Sequence, residues 1–237
     1  MKKHKMIDYR ELRPWNIISP EYRHLLLLLY WPIYGFMFLF VERIGVRSEY
    51  HVIHCFIDDY IPFCEYFIIP YLFWFVFLVA SHILTLLYDA DAFRRMIYFT
   101  AITYTVAIIT YIIYPNCQEL RPESFSRDNV FTEFMKWFYT LDTNTNVCPS
   151  IHVIGSIGAA IALWDCREIS SKWIKISSVV AAVLISVSTM FVKQHSAVDV
   201  IAALPVSAAG YLIVYVLPSA VHKKRGSLSI VGVKFVK

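Results

Sequence analysis

Read for apolar and polar positions, the chain alternates between long uncharged runs and short polar interruptions. Six apolar stretches stand out, at roughly 24–41, 61–87, 96–114, 150–164, 173–192 and 197–217. Each is near the ~20 residues that a helix needs to cross the hydrocarbon core of a bilayer. The pattern therefore predicts six transmembrane helices. The second stretch is long and carries Pro62 and Pro70, so it is expected to tilt, to kink, or to begin as an interfacial helix. The stretch 51–60, with Asp58 and Asp59, is too polar to span. No internal repeat of solenoid length and no low-complexity segment is visible.

Composition strengthens this picture. The 237 residues are 58% hydrophobic and only 17% charged, where a soluble domain carries about a quarter charged residues. The expected class is an all-α integral membrane protein, a six-transmembrane-helix bundle with a helical outer loop. One domain, 1–237, accounts for the length, with an N-terminal segment 1–23 and a C-terminal tail 218–237. No cleavable signal peptide is expected, because no short apolar run with a small-residue cleavage site follows the polar, basic start.

The net charge of +4 is no nucleic-acid signal; its distribution matters more. Lys2, Lys3, Lys5, Arg10, Arg13, Arg23, Arg94, Arg95, Arg167, Lys172, Lys175, Lys223, Lys224, Arg225, Lys234 and Lys237 fall on one side of a six-span protein. Arg43, Arg47, Arg121, Arg127, Lys136 and Lys193 fall on the other. The positive-inside rule then places both termini in the cytoplasm. Short loops and a single domain point to a bacterial plasma membrane. Five cysteines show no C-x-x-C spacing, so no zinc site is expected. Cys117 and Cys148 bracket one polar loop; they either pair, if the loop faces an oxidising compartment, or remain free thiols.

The residues suited to chemistry lie together on the outer side of this topology. The loop 115–149 is long for a compact membrane domain, which usually signals function. It contains a predicted amphipathic helix near 128–139, with Phe131, Phe134, Met135 and Phe138 on one face. Pro149 suits the first turn of the fourth span, and Ser150 and His152 then fall in that turn, where free N–H groups favour an anion such as phosphate. The bland alternative is a capping serine and an interfacial histidine. His195 and Asp199 are spaced i, i+4 and share a face if the sixth span begins by residue 195. A carboxylate there accepts the Nδ1–H of the imidazole and leaves Nε2 free as nucleophile or base. The alternative is a structural His–Asp pair that pins the helix end. Arg121 is suited to bidentate phosphate binding and Lys193 to a point charge. Their alternatives are an ordinary loop charge and a snorkelling lysine.

These motifs, in this order, resemble the type 2 phosphatidic acid phosphatase superfamily, and most of all the branch of the inositol phosphorylceramide synthases. The family pattern is Lys, six residues, Arg-Pro; then Pro-Ser-x-His; then Ser-Arg, five residues, His, three residues, Asp. Arg121-Pro122, Pro149-Ser150-Ile151-His152, and Ser188 with His195 and Asp199 match it. Tyr114 stands where the family has its first lysine, and Thr189 where it has the arginine after the serine. The resemblance implies that His195 attacks phosphorus to form a phosphohistidine and that Asp199 orients it. It implies that His152 protonates the leaving oxygen and then activates the acceptor, while Arg121, Lys193 and the N–H groups near Ser150 hold the phosphoryl oxygens. It implies no metal or other cofactor. The expected partners are a lipid phosphate and membrane lipids, with no nucleic acid.

Three functions are thus in view. The first is a lipid-phosphate phosphatase or phosphotransferase acting at the outer face. The second is a head-group transferase onto diacylglycerol or a ceramide-like lipid, for which the missing lysine and the Lys193-Gln194-His195 form argue. The third is a non-catalytic membrane protein of the same fold that binds a lipid head group.

Overall fold

The computed structural model describes residues 6–44 and 49–218. Lys2, Lys3, Lys5, Arg47, Lys223, Lys224, Arg225, Lys234, Lys237 and the tail from 219 onward lie outside the described residues.

The chain is mostly helical. The first apolar run forms a 3-10 segment, Arg23–Leu29, then α1 (Tyr30–Leu39) and a π turn, Phe40–Ile44. A two-residue strand β1 (His51–Val52) and a short helix α2 (Phe56–Tyr60) follow. After a 3-10 turn at Glu65–Phe67 come α3 (Ile68–Tyr88) and α4 (Ala90–Ile113). Strand β2 (Asn116–Cys117) pairs with β1 in parallel, and α5 (Val130–Leu141) crosses the loop. The described residues close with α6 (Ile151–Asp165), α7 (Lys172–Phe191) and α8 (Ala197–Tyr211), the last continued by a π turn at Leu212–Val216.

Five helical segments are long and apolar enough to cross a membrane: Arg23–Arg43, Glu65–Tyr88, Ala90–Ile113, Lys172–Phe191 and Ala197–Val216. This is the make-up of a multi-pass membrane protein, and large apolar side chains such as Phe36, Val79, Ile109, Leu184 and Ile201 cover the outside. The expected fourth span, α6, is shorter. At 15 residues it is about 22 Å long, below the ~30 Å of hydrocarbon. It is also the centre of the bundle, packed against α3, α4, α7 and α8. Gly155, Ser156, Gly158, Ala159, Ala160 and Ala162 are buried along it, and such small residues let neighbouring backbones approach. At Gly158 a Cβ would stand 2.6 Å from the Phe99 ring.

Element boundaries correct the sequence reading at two places. The second run begins its α-helix only at Ile68, so 61–64 is not helical and Pro70 sits in the first turn, where its missing N–H costs nothing. The third begins at Ala90, not 96. Asp89 caps it by accepting from the N–H groups of Asp91 and Ala92. Arg94 and Arg95 therefore belong to the helix, paired with Asp91 (2.6 Å) and Asp165 (2.5 Å). Their charge had suggested a loop; acidic partners make helix tolerable for them. The amphipathic α5 forms as expected, shifted by two residues, with Met135 and Phe138 buried against Ile68, Tyr71 and Val192.

Candidate functional site

One end of the bundle gathers the starts of α3, α6 and α8 and the ends of α4, α7 and the first segment. Backbone and side-chain bonds tie these termini together. Cys64 N–H donates to Phe191 O (3.0 Å), Ser150 N–H to Asp199 O (3.2 Å), and Tyr111 Oη to Pro149 O (2.7 Å). Asn116, fully buried, accepts from the N–H groups of both Val147 and Cys148 at 2.8 Å. The approach to α6 is therefore a fixed loop.

Ser150 is the N-cap of α6, its Oγ 3.4 Å from Val153 N. The helix starts one residue later than expected, and Pro149 lies before it rather than in its first turn. His152 remains in that turn, its ring wedged against Tyr71 (centroids 4.7 Å apart) and Trp74 (4.3 Å). The i, i+4 spacing puts His195 and Asp199 on one helical face if the helix begins by residue 195. Instead α8 begins at Ala197, with Ser196 as its cap, because a serine there closes a capping box with Asp199. His195 lies just outside the helix, yet its Nδ1 is 3.1 Å from Asp199 Oδ2. The same oxygen accepts from Ser196 N–H at 2.9 Å. His195 Nε2 is 3.2 Å from His152 Nδ1. Asp199, His195 and His152 thus form one buried series of 0%, 5% and 8% exposure.

Ser150 is tied to this series through its N–H on Asp199 O (3.2 Å), whereas the side chains of Arg121 and Lys193 bond elsewhere. Arg121 donates through Nε and Nη2 to Gln194 Oε1 (3.1 and 2.5 Å), and to the carbonyls of Tyr139 (3.1 Å) and Asp142 (2.6 Å). Its guanidinium lies over the Tyr139 ring at 4.4 Å. Burial disfavours its charge, and Tyr139, Asp142 and Tyr71 act against that. Lys193 adopts a left-handed φ of 53° at the end of α7, and its Nζ donates to the carbonyls of Asp58 (3.1 Å) and Ile61 (2.6 Å). Burial pushes its pKa down, with Asp58 and Asp59 opposing. A cavity of about 30 Å³ beside the two imidazoles is lined by neither cation and not by Ser150. Its walls include Asp142, Thr143, Thr145, Asn146 and Gln194.

Several contributors escaped the sequence reading. Asp58, set aside as too polar to span, caps α8 from a distance. Its Oδ1 accepts from Ala197 N–H (2.7 Å), and its Oδ2 from Ser196 Oγ (2.5 Å) and Cys55 N–H (2.9 Å). Burial pushes this carboxyl upward, but those hydrogen bonds outweigh it and hold it below its ordinary value. Asp142 Oδ2 accepts from Tyr71 Oη (2.7 Å) and Gln194 Nε2 (2.9 Å). Thr189, at the family's arginine position, is buried, and its carbonyl accepts from the N–H groups of Gln194 and His195. Tyr114, at the lysine position, stacks on His51 at 4.2 Å. Cys117 and Cys148 are free thiols; burial first, then the Asp199 carboxylate, push Cys148 up to about 12.

Alongside α6, α7 and α8 an apolar groove of about 800 Å³ begins at Val153 and Val200, next in sequence to His152 and Asp199, and runs to Trp164 and Tyr211. Among the described residues, no group of three His, Cys, Asp or Glu side chains is placed to hold a metal ion. The chain matches no known family model and no curated protein.

Proposed function

We propose that this chain is an integral membrane enzyme that takes a phosphoryl group from a lipid phosphate onto His195. The observation that carries the reading is the buried series Asp199–His195–His152. A carboxylate on Nδ1 fixes the tautomer with its lone pair on Nε2. That nitrogen forms the bond to phosphorus as the P–O ester bond breaks. The electron pair leaves with the lipid oxygen, which takes the proton of His152. The phosphohistidine then passes its phosphoryl group to an acceptor whose proton returns to His152. With water as acceptor the enzyme is a phosphatase; with a phosphodiester lipid as donor, the group carried on His195 keeps the head group, and diacylglycerol or a ceramide-like alcohol as acceptor makes the enzyme a head-group transferase.

Three further features support this. The first N–H groups of α6 have no intrahelical acceptor and favour an anion beside His152. Arg121 and Lys193 are bound to uncharged acceptors, and a phosphate oxygen is the stronger partner for either. The apolar groove along α6, α7 and α8 suits acyl chains. In this reading α6 counts as a sixth span within the bundle, both termini are cytoplasmic, and the histidines face the outside of a bacterial plasma membrane.

A second reading, a non-catalytic protein that binds a lipid head group, draws on the same cations being engaged by the protein itself. One experiment separates them. Wild type and His195→Ala in detergent are given phosphatidic acid or a phosphoinositide, each with and without a ceramide, and free phosphate, new lipids and acid-labile phosphohistidine are followed. Phosphate or new lipid from the wild type alone is the expected result. Equal activity of His195→Ala would sink the mechanism, and lipid binding without turnover would favour the second reading.

A further inference from the structure

We propose that the small cavity beside the imidazoles seats an attacking water held by Asn146; this rests on the reading of His195 as nucleophile. Asn146 sits at a left-handed φ of 53°, a conformation asparagine tolerates better than most residues. Its backbone is pinned through its N–H to Asn116 O at 2.6 Å. Its side-chain Nδ2 donates to Glu42 Oε1 at 2.7 Å. Glu42 is itself buried, at the end of the first helical segment, and also accepts from the hydroxyls of Thr143 and Thr145.

A carboxylate only accepts hydrogen bonds, so the amide of Asn146 has a single workable orientation, with its nitrogen on Glu42. Oδ1 is then fixed elsewhere. It is buried and has no hydrogen-bond partner among the described residues, an uncommon state for a buried acceptor. Asn146 lines the cavity that His152 and His195 share.

Polarity names the occupant. About 30 Å³ is room for a water. The walls include the Asn146 amide and the Asp142 carboxylate and no lysine or arginine. Beside such acceptors a molecule with O–H donors is favoured. One O–H of the water points to Asn146 Oδ1 and the other to His152. The water oxygen forms the bond to phosphorus, the P–Nε2 bond breaks with its electron pair returning to His195, and His152 takes the proton. Glu42 acts through Asn146 as a positioning residue.

The test uses the full-length protein in detergent with phosphatidic acid as donor and glycerol as competing acceptor. Asn146→Gly keeps the left-handed backbone and removes the amide. The variant is expected to keep the initial burst of diacylglycerol, which reads formation of phosphohistidine. Phosphate release should fall about tenfold relative to glycerol phosphate, the worth of one well-placed hydrogen bond. Glu42→Gln, which lets the Asn146 amide turn over, should shift the same ratio in the same direction by less. An unchanged ratio in both variants, with the burst and both products falling together, overturns the inference and leaves the nucleophile standing. A wild type without burst or phosphohistidine removes the functional reading and the inference with it.

Discussion

Replacing Asp58 with alanine tests how the α8 corner is built. Three donors converge on this carboxylate: Ala197 N–H, Ser196 Oγ–H and Cys55 N–H. Alanine leaves all three without it. The Ala197 N–H is buried in a first turn with no helical alternative, which costs about 2 kcal/mol. Cys55 is partly exposed and Ser196 Oγ can rotate, so about 1 kcal/mol each is reasonable. The sum is about 4 kcal/mol, which on the scale for a chain of this length lowers Tm on the order of 10 °C. Asp58→Asn keeps one acceptor oxygen and should lose less than half of that. The pH dependence follows from the direction of the shift. A carboxyl held below its ordinary value stabilises the fold fully above the unfolded pKa of about 3.9, and that contribution disappears as pH falls through its lower folded value. Wild type and Asp58→Ala should therefore differ most at neutral pH and converge in acid. Thermal unfolding in detergent, followed by tryptophan fluorescence at pH 7 and at pH 3, reads this. Because Ser196 N–H shares Asp199 Oδ2 with His195, turnover should fall in the same variant. An Asp58→Ala protein with wild-type Tm at pH 7 would refute the assignment of Asp58 as the distal cap.

Arg121→Lys is expected to lower stability by about 2–3 kcal/mol, since an ammonium cannot reproduce a planar fork shared among Gln194 and two carbonyls; a wild-type melting curve would argue that Arg121 is an ordinary loop charge. Cys148, with its thiol pushed up to about 12, holds roughly a thousandfold less thiolate at pH 8 than an ordinary cysteine, so its alkylation followed by mass spectrometry should lag far behind free cysteine; equal rates would contradict that environment. Gly158→Ala forces a methyl against the fully buried Phe99 and should cost about 1–3 kcal/mol, read as a lowered Tm; no change would mean that α4 and α6 are not packed as described.

The apolar runs made the long helices legible, because burial in lipid or core leaves a continuous signal along the chain. The 3.6-residue spacing of Phe131, Phe134, Met135 and Phe138 likewise exposed α5. The pairing of His195 with Asp199 was legible from spacing, although the route differs: a serine cap brings them together where a shared helical face was expected. What was not legible is set by contacts between distant segments. Asp58 reaches the start of α8 from 139 residues away, and Glu42 reaches Asn146 from 104. Nothing in either neighbourhood announces the partner. Arg121 and Lys193 look like free cations in sequence because sequence does not count the carbonyls around them. The central place of α6 was also hidden, since a short apolar run looks like a marginal span. Its glycines and alanines are the local sign that it packs on all sides.

The engaged state of the two cations has a physical consequence for the proposed chemistry. His152 Nδ1 and His195 Nε2 stand at 3.2 Å, in direct contact. A phosphoryl group bonded to one and handing its leaving oxygen to the other needs about 5 Å or more between them. In the proposed mechanism substrate entry separates the two rings by displacing the 193–195 corner from the start of α6. That corner is what holds the cations. Gln194 occupies two donors of Arg121, and Lys193 itself forms the turn. Gln118 Nε2 on Lys193 O (2.7 Å) and Tyr139 Oη on Val192 O (2.7 Å) join the same corner to the 115–149 loop. A movement that opens Nε2 to phosphorus thus loosens Gln194 from Arg121 and shifts Lys193 from the carbonyls of Asp58 and Ile61. Positive charge becomes available as the anion arrives, while in the closed state each cation is satisfied and none is left buried without a partner, which would cost several kcal/mol. In the proposed mechanism one corner, three residues long, couples access to the nucleophile with supply of the phosphate clamps.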